Sequence, residues 1–342
     1  MKKIKKKLTY KDSGVNIKTA ENLISPLKKA SGHSKSRMLS MIGGFASLYH
    51  VDVKKYPSPV IVCGTDGVGT KLKIAMKMKN HSSIGQDLLA MCVNDVITSG
   101  ADPILFLDYL ATSRINIRLH QKVLLSIKKA CDKTNIVLAG GETAEMPGFY
   151  QNDDYDIAGF CIGMIDKKKI IDTKRIKRND IIIGLQSNGL HSNGFSLVNK
   201  LIEKKLLSLN QKCNGSKIGN TLLRPTKIYS DIIAKVRDRI KGCAHITGGG
   251  ITENLARILP NKTSALIKFD SWNMHSIFKL IQDRSALNDH EMLSTFNCGI
   301  GMIVIVDKKK RDSVIKDCKK MNYKIFEIGA IVKGSQSKVI YE

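Results

Sequence analysis

The sequence predicts an α/β fold divided into two domains. Short β-branched runs alternate with amphipathic helical stretches between residues 60 and 165. A polar, basic stretch at residues 166–180 interrupts this pattern, and a new strand–turn–helix series begins at residue 181. The chain has 342 residues, which is enough for two cores. We therefore predict domains at residues 1–170 and 171–342.

The first domain is predicted to contain strand–helix–strand units. Helices are expected over Ser83–Gly100 and Arg118–Lys133, where apolar residues recur at helical spacing. Gly100 and the nearby Pro103 end the first of these helices. Strands are predicted at Val60–Cys63, Ile104–Leu110, Ile136–Ala139 and Ile157–Ile165.

The second domain is predicted to repeat this alternation. A strand at Ile181–Leu185 leads through a polar turn into a helix that begins near Phe195. The run Gly248-Gly249-Gly250 precedes a helix over Thr252–Ile258. A glycine-containing strand at residues 296–306 is predicted to be the last one.

The formal net charge of +26 raises the possibility of nucleic-acid binding. Only 11 of the 56 basic residues are Arg, however, and the lysines are spread along the chain without aromatic stacking residues. We therefore expect the charge to be a property of the surface, and no nucleic-acid partner.

The eight cysteines form no C-x-x-C pair and no zinc-site spacing with histidine. We interpret them as free, mostly buried thiols of a cytoplasmic protein. No apolar run is long enough to span a membrane, and no apolar segment follows the basic N-terminus as in a signal peptide. We expect no membrane partner.

The stretch Gly64–Lys71 has the glycine spacing of a phosphate-binding P-loop, but Thr70 and Lys71 stand in the reverse order. It also carries Asp66, which would repel phosphate unless a divalent cation lay between them. One interpretation is a metal-bearing turn in which Gly64, Gly67 and Gly69 allow close backbone approach and Lys71 contacts phosphate. The alternative is a tight turn with a capping Asp.

Two further segments carry acidic or polar side chains that suit a metal or a nucleotide. Asp87 and Asp95 lie on roughly one helical face, with Asn94 beside them. Gly140, Gly141 and Glu142 follow a predicted strand, where α/β binding sites collect. Each segment also has a simpler interpretation, as a solvated helix face or an exposed turn.

Two polar loops of the second domain suit a substrate. His191, Ser192 and Asn193 lie in a loop between a strand and a helix, and His191 could donate a proton or a hydrogen bond. Gly248, Gly249 and Gly250 form a candidate phosphate loop. Helix capping and a surface histidine remain the alternative. Phosphate-type sites in both halves suggest a kinase- or ligase-like reaction.

Taken together, these segments resemble the phosphoribosylformylglycinamidine cyclo-ligase (aminoimidazole ribonucleotide synthetase) family over nearly the whole chain. The matching stretches are Tyr10–Val15, Gly43–Phe45, Gly64–Lys71, Met91–Asp95, Gly100–Pro103, Phe106–Tyr109, Gly140–Gly148, Asp156–Phe160, His191–Gly194, Pro225-Thr226, Thr247–Gly250 and Thr295–Gly299. Sister enzymes of the same fold, such as thiamine-monophosphate kinase and selenophosphate synthetase, keep looser versions of these motifs and are the alternative.

The resemblance implies a two-domain fold whose N-terminal sheets pair into a barrel across a homodimer. It also implies a purine-biosynthesis reaction with ATP and Mg²⁺, in which formylglycinamidine ribonucleotide is phosphorylated on its formyl amide oxygen and cyclised. The segment from Lys11 to Gly44 is expected to cover the nucleotide.

The resemblance further implies roles for single residues, which follow the segments described above. The expected metal ligands are Asp66, Asn94, Asp95 and Glu142. The residues expected around the nucleotide also include Gly64, Gly67, Gly69, Thr70, Lys71, Asp87, Gly140 and Gly141. His191, Ser192 and Asn193 are expected at the reacting group, and Gly248, Gly249 and Gly250 at a phosphate of the substrate.

Overall fold

The computed structural model describes residue 13 and residues 17–30, 37–40, 43–151 and 153–342. Part of the predicted nucleotide cover, Lys11–Gly44, lies outside these residues. Two sheets, built within residues 59–166 and 181–341, organise the chain, and the predicted domain boundary near residue 170 falls between them. Across the described ranges, no helix combines the length and apolar character needed to cross a membrane.

The first sheet has four strands in the order β1-β4-β2-β3. They are β1 (Pro59–Gly67), β2 (Asp102–Thr112), β3 (Val137–Glu145) and β4 (Tyr155–Asp166). Strand β4 pairs antiparallel with both β1 and β2, whereas β2 pairs parallel with β3. The parallel pair needs a crossover helix, which the predicted strand–helix–strand unit supplies.

Four helices accompany this sheet: α1 (Ile17–Ala30), α2 (Lys71–Lys77), α3 (Ile84–Ile97) and α4 (Ile117–Thr134). Helix α3 packs on β1, β2 and β4, and α4 packs on α3. Gly85 permits the contact between these two helices, because a Cβ atom there would collide with the backbone nitrogen of Ile127. The other face of the sheet carries no helix among the described residues.

The second sheet has six strands in the order β12-β9-β11-β5-β10-β8. They are β5 (Ile181–Gln186), β8 (Ile240–His245), β9 (Thr263–Ile267), β10 (Ile300–Val306), β11 (Ile325–Lys333) and β12 (Val339–Tyr341), and a small hairpin joins β6 (Lys212–Cys213) to β7 (Ser216–Lys217). The strand predicted to be the last is β10, a buried central strand that two further strands follow.

The helices of this half are α5 (Phe195–Glu203), α6 (Ile218–Leu222), α7 (Ser230–Val236), α8 (Gly250–Ala256), α9 (Ser276–Ser285), α10 (Asp289–Thr295) and α11 (Arg311–Lys320). Helix α7 and strand β8 contact α3 of the first domain. Helix α3 therefore lies between the two halves, and this explains why its polar residues Asp87 and Asn94 are fully buried.

Strands β1 and β3 continue through the glycine motifs that the sequence placed in turns. Gly64-Thr65-Asp66-Gly67 pairs in register with β4, and Gly140-Gly141-Glu142 pairs with β2. A Cβ atom at Gly64 would lie 3.1 Å from the carbonyl oxygen of Cys92 on α3. These glycines allow close packing on the sheet, and the actual turn after β1 lies at Val68–Thr70.

Candidate active site

A buried ion pair of the first domain, between Lys71 and Asp87 of α3, binds the second domain through hydrogen bonds. The ammonium group of Lys71 donates to Asp87 Oδ1 at 2.8 Å and to the carbonyl oxygens of His191 at 2.9 Å and Arg224 at 2.8 Å. Both side chains of the pair are fully inaccessible to solvent. Burial lowers the pKa of Lys71 and raises the pKa of Asp87, and in each case the partner's charge opposes the effect.

Asp87 also connects α3 to the second domain. Its Oδ1 accepts hydrogen bonds from the backbone N–H and the hydroxyl of Thr226, both at 2.7 Å. The sequence predicted that Lys71 and Asp87 contact nucleotide, but the structure places them inside the protein. All three ammonium donors of Lys71 are taken by protein oxygens, so a contact with phosphate would require breaking this network.

His191 lies in the loop that the Lys71 contact holds. It has a φ of 63°, in the left-handed region that non-glycine residues seldom adopt. Its Nε2 accepts from the backbone N–H of Asn188 at 3.1 Å, so the ring is neutral and its proton is on Nδ1. Burial lowers the pKa of His191 well below its ordinary value. His191 can therefore donate a hydrogen bond, but it does not carry a second proton near neutral pH.

Ser192 and Asn193 follow in the same loop but differ in their surroundings. The Ser192 hydroxyl is buried and lies 2.9 Å from the hydroxyl of Thr226. Asn193 is only partly buried, and its Oδ1 lies 3.7 Å from the position that a Cβ atom on Gly248 would occupy. The structure thus brings the amide of Asn193 beside the triple-glycine loop.

The triple-glycine loop depends on backbone conformations that favour glycine. Gly249 and Gly250 have φ values of 88° and 57°, and α8 begins at Gly250. The side-chain amide of Asn254 donates to the carbonyl oxygens of Gly248 at 3.0 Å and Gly250 at 2.8 Å. These bonds hold the loop in shape, and the Glu253 side chain lies against it, since a Cβ atom on Gly249 would collide with the Glu253 carboxylate.

Asp66, Asp95 and His245 form an acidic cluster at the contact between the domains. Asp95 Oδ1 lies 2.8 Å from His245 Nδ1, and the Asp95 side chain is 47% exposed. Burial raises the pKa of Asp66, an effect opposed by the Gly67 N–H and increased by the negative charge of Asp95. Two carboxylates that are close enough to repel each other are a suitable place for a cation.

Of the other two predicted metal ligands, Asn94 adjoins this cluster, with its Nδ2 3.4 Å from His245 Nε2, but its side chain is bonded to the second domain. Asn94 Oδ1 accepts from the Tyr229 backbone N–H at 3.1 Å, and its Nδ2 donates to the Lys227 carbonyl at 2.8 Å. Asn94 therefore binds the second domain. Glu142 pairs with Tyr109 on the outward face of the sheet, opposite to Asp66. Within the described ranges, no three His, Cys, Asp or Glu side chains are arranged to hold one metal ion.

The remaining predicted glycines lie around this region. Gly69 has a φ of 64°, and a Cβ atom there would meet nothing within 4 Å. The next residue, Thr70, has its hydroxyl 3.2 Å from that of Ser196. Gly140 lies near the Ser47 hydroxyl, at 3.5 Å from its Cβ position. Gly69 is thus the predicted glycine with the most open space beside it.

Asp108 is a notable residue that the sequence analysis did not single out for a role. The register of the strands places it in one row with Asp66, Gly159 and Gly141, on the face of the sheet that α3 covers. Burial raises the pKa of Asp108 to about 7. The sequence signal for it was an acidic residue in the middle of an otherwise apolar strand. His245 was also missed, because only its contact with Asp95 distinguishes it.

We predict that Lys71→Met destabilises the protein by about 3–5 kcal/mol, because Asp87 would remain as a buried charge without its partner. The free energy of urea unfolding measures this effect. Lys73→Met, two residues along the same helix but exposed, should change it by less than about 0.5 kcal/mol. A Lys71→Met variant of native stability whose only defect is weaker ATP binding would contradict the structural role.

We predict that Asp108→Asn stabilises the protein at pH 8 by about 1–4 kcal/mol and has little effect below pH 4. The pKa of Asp108 is near 7 in the folded chain and 3.8 in the reference state, so native stability falls as pH rises between these values. Asn cannot ionise, so the variant avoids this loss. Unfolding at several pH values tests the prediction against the exposed control Asp270→Asn; equal stability at pH 8 would contradict it.

Comparison with known families assigns both halves of the chain. Residues 51–165 match the N-terminal domain of AIR synthase related proteins, and residues 177–342 match the C-terminal domain. A thiamine-monophosphate kinase from Stenotrophomonas maltophilia shares the fold, with a TM-score of 0.70, 17% identity, and coverage of 94% of this chain and 96% of that one. A hydrogenase maturation protein solved in complex with ATP gives a TM-score of 0.67 at 15% identity, with 97% and 93% coverage.

Closer relatives cover almost the full length. The phosphoribosylformylglycinamidine cyclo-ligase of Alkaliphilus metalliredigens is 44% identical over 98% of each chain. That of Thermoanaerobacter pseudethanolicus is 45% identical over 97% of this chain and 100% of its own. At this identity and coverage, the chain belongs to the phosphoribosylformylglycinamidine cyclo-ligase family.

Proposed function

We infer that this protein catalyses the ATP-dependent cyclisation of formylglycinamidine ribonucleotide to 5-aminoimidazole ribonucleotide, with release of ADP and phosphate. The observation that carries this inference is the 44% identity to cyclo-ligases over 98% of the chain. The arrangement of the domain contact supports it, since Asp95 of the first domain contacts His245 of the second, on the strand that precedes the glycine loop.

We propose that Asp66 and Asp95 bind Mg²⁺–ATP. The two carboxylates are the acidic predicted ligands that the structure brings close together, and Asp95 is open to solvent. Bound Mg²⁺ would neutralise phosphate charge, and it characteristically completes its coordination with water and substrate phosphates. His245 beside Asp95 would keep that carboxylate oriented. Asn94 and Glu142 are not part of this proposed pair.

We propose that Asn193 and the loop Gly248-Gly249-Gly250 contact the ribonucleotide substrate. Asn193 carries an amide that is not fully buried, and the loop offers backbone groups close to it. His191 and Ser192 then have a different task from the one first expected. They are buried and bonded to the domain contact, so they orient the loop that presents Asn193.

The chemistry follows from the poor leaving ability of an amide oxygen. Transfer of the γ-phosphoryl group from ATP to the formyl amide oxygen converts it into a phosphate leaving group. The neighbouring amine then attacks the same carbon, the imidazole ring closes, and the carbon–oxygen bond breaks as phosphate leaves. The protein contributes mainly by positioning the two substrates and by opposing the charge of the transferred group.

A sister activity of the same fold is the alternative. The thiamine-monophosphate kinase shares only 17% of its residues with this chain, which supports a common fold and no more. The two activities differ in their carbon–nitrogen chemistry, since a kinase forms no ring.

The cytoplasmic location predicted from the unpaired cysteines stays a prediction.

The assay combines purified protein, ATP, Mg²⁺ and formylglycinamidine ribonucleotide, with detection of the aromatic amine product. We expect product formation that EDTA abolishes. Asp66→Asn and Asp95→Asn should each lower kcat/KM at least about 100-fold, by analogy with the loss of other charge-stabilising groups, and Asp270→Asn should leave it unchanged. No product from the native protein would contradict the function. Native turnover in both acidic variants would contradict the metal assignment alone.

We also propose a homodimer in which the N-terminal sheets of two chains pair through their outward faces. This face carries Ile61, Phe160 and Tyr109, which are 64%, 45% and 38% exposed. They lie on three neighbouring strands, β1, β4 and β2, and give this face exposed apolar surface of the kind that marks interaction surfaces. A second copy of the same face would bury it with twofold symmetry.

Sedimentation at micromolar concentration tests the dimer. We expect the native protein to sediment as a dimer and Ile61→Asp as a folded monomer, because the interface would bury an unpaired charge. Lys319→Asp on α11, an exposed position of the other domain, should remain dimeric. A monomeric native protein, or a dimeric Ile61→Asp variant, would contradict the proposal.

A further inference from the structure

Two adjoining cavities lie in the second domain, on the side of the His191 loop that carries Asn188. Their volumes are about 290 and 220 Å³, and they share Gln186, Arg224 and His275. The larger one also reaches Lys324. We call this pair the basic cavity. None of the residues assigned above to ATP, Mg²⁺ or substrate lines it.

The basic cavity has positive charge that the protein does not neutralise. Arg224 and Lys324 line it, and the described part of the chain contributes no Asp or Glu to its walls. Neither cationic side chain forms an ion pair with a described residue; Lys324 contacts the ring of Phe326, at 5.6 Å from its centroid. Two cations that converge on one cavity without an acidic partner favour an anionic ligand.

Further hydrogen-bond donors face the same space. Helix α9 begins at Ser276, which lines the larger cavity together with Asn273. No side chain caps this helix start; the Phe278 N–H donates to the His275 carbonyl at 2.9 Å, and the N–H groups of Ser276 and Ile277 precede it in the first turn. Arg224 supplies planar donors that match phosphate oxygens. The cavity is larger than a phosphate group requires, which leaves space for an attached organic group.

We propose that the basic cavity binds the phosphate group of a small phosphate monoester, at a second site separate from the acidic cluster. Arg224 and Lys324 hold the phosphate, and the polar amides around them contact the organic part. The site adjoins the catalytic region through the backbone, since the Arg224 carbonyl accepts from Lys71 and the Asn188 N–H donates to His191. A bound ligand would therefore lie behind the loop that carries Asn193.

The only Trp of the sequence provides a local probe. Trp272 precedes Asn273, and its indole N–H donates to the Cys298 carbonyl at 2.8 Å. We propose titrating the full chain with inorganic phosphate and with ribose 5-phosphate while recording Trp fluorescence, at an ionic strength held constant with chloride. The double variant Arg224→Gln/Lys324→Gln removes the two cations, and the control Arg178→Gln/Lys308→Gln removes two exposed cations elsewhere.

We expect a saturable fluorescence change in the native protein, with binding at least about 10-fold weaker in Arg224→Gln/Lys324→Gln and within twofold of native in the control. Tighter binding of ribose 5-phosphate than of phosphate supports a monoester ligand, and the reverse order supports the site with free phosphate as its ligand. No saturable change, or equal weakening in both double variants, overturns the proposal. Because fluorescence reports binding, the result does not depend on the proposed turnover.

Discussion

The buried ion pair between Lys71 and Asp87 is the interaction on which the arrangement of the two domains depends. Two fully buried charges are costly unless hydrogen bonds offset them; here bonds from both domains reach Lys71 and Asp87 Oδ1, whereas Asp87 Oδ2 has no partner among the described residues. Lys71 binds the carbonyl oxygens of His191 and Arg224, while Asp87 binds Thr226. A displacement of either domain would leave a buried charge without its partners, so the pair penalises every other relative position of the two halves.

This constraint also explains why some polar residues of α3 are buried and others are exposed. Its buried polar residues, Asp87 and Asn94, bind the second domain, whereas Asp95 remains accessible and faces His245. In the second domain, the loop that Lys71 binds buries the side chains of His191 and Ser192. The same loop places Asn193 beside the triple-glycine loop. One helix thus carries both buried residues that bind the second domain and an exposed carboxylate, because different parts of its surface face protein and solvent.

Much of the first domain was predictable because its helices and strands have clear apolar periodicity. The helix predicted over Ser83–Gly100 corresponds to α3, and the strand over Ile157–Ile165 to β4. The glycine motifs were harder to interpret, since glycine occurs both in turns and where chains pack closely. Whether a glycine lies in a turn or at a close packing contact depends on neighbours that are distant in the sequence, such as Cys92 beside Gly64. The two strands after β10 were also missed: most residues of β11 are partly exposed, and β12 has only three residues.

The sequence by itself determined the family and the set of polar residues available for chemistry, because motif order and residue type are properties of the chain. Only the tertiary structure decided which of those residues share a space. Asp66 and Glu142 both follow apolar strand residues, yet the strand register places them on opposite faces of one sheet. The sequence predicted that Lys71 contacts phosphate, whereas in the structure its three ammonium donors bind three protein oxygens. Side-chain direction and burial depend on contacts between segments that are far apart in the chain, and no local pattern records them.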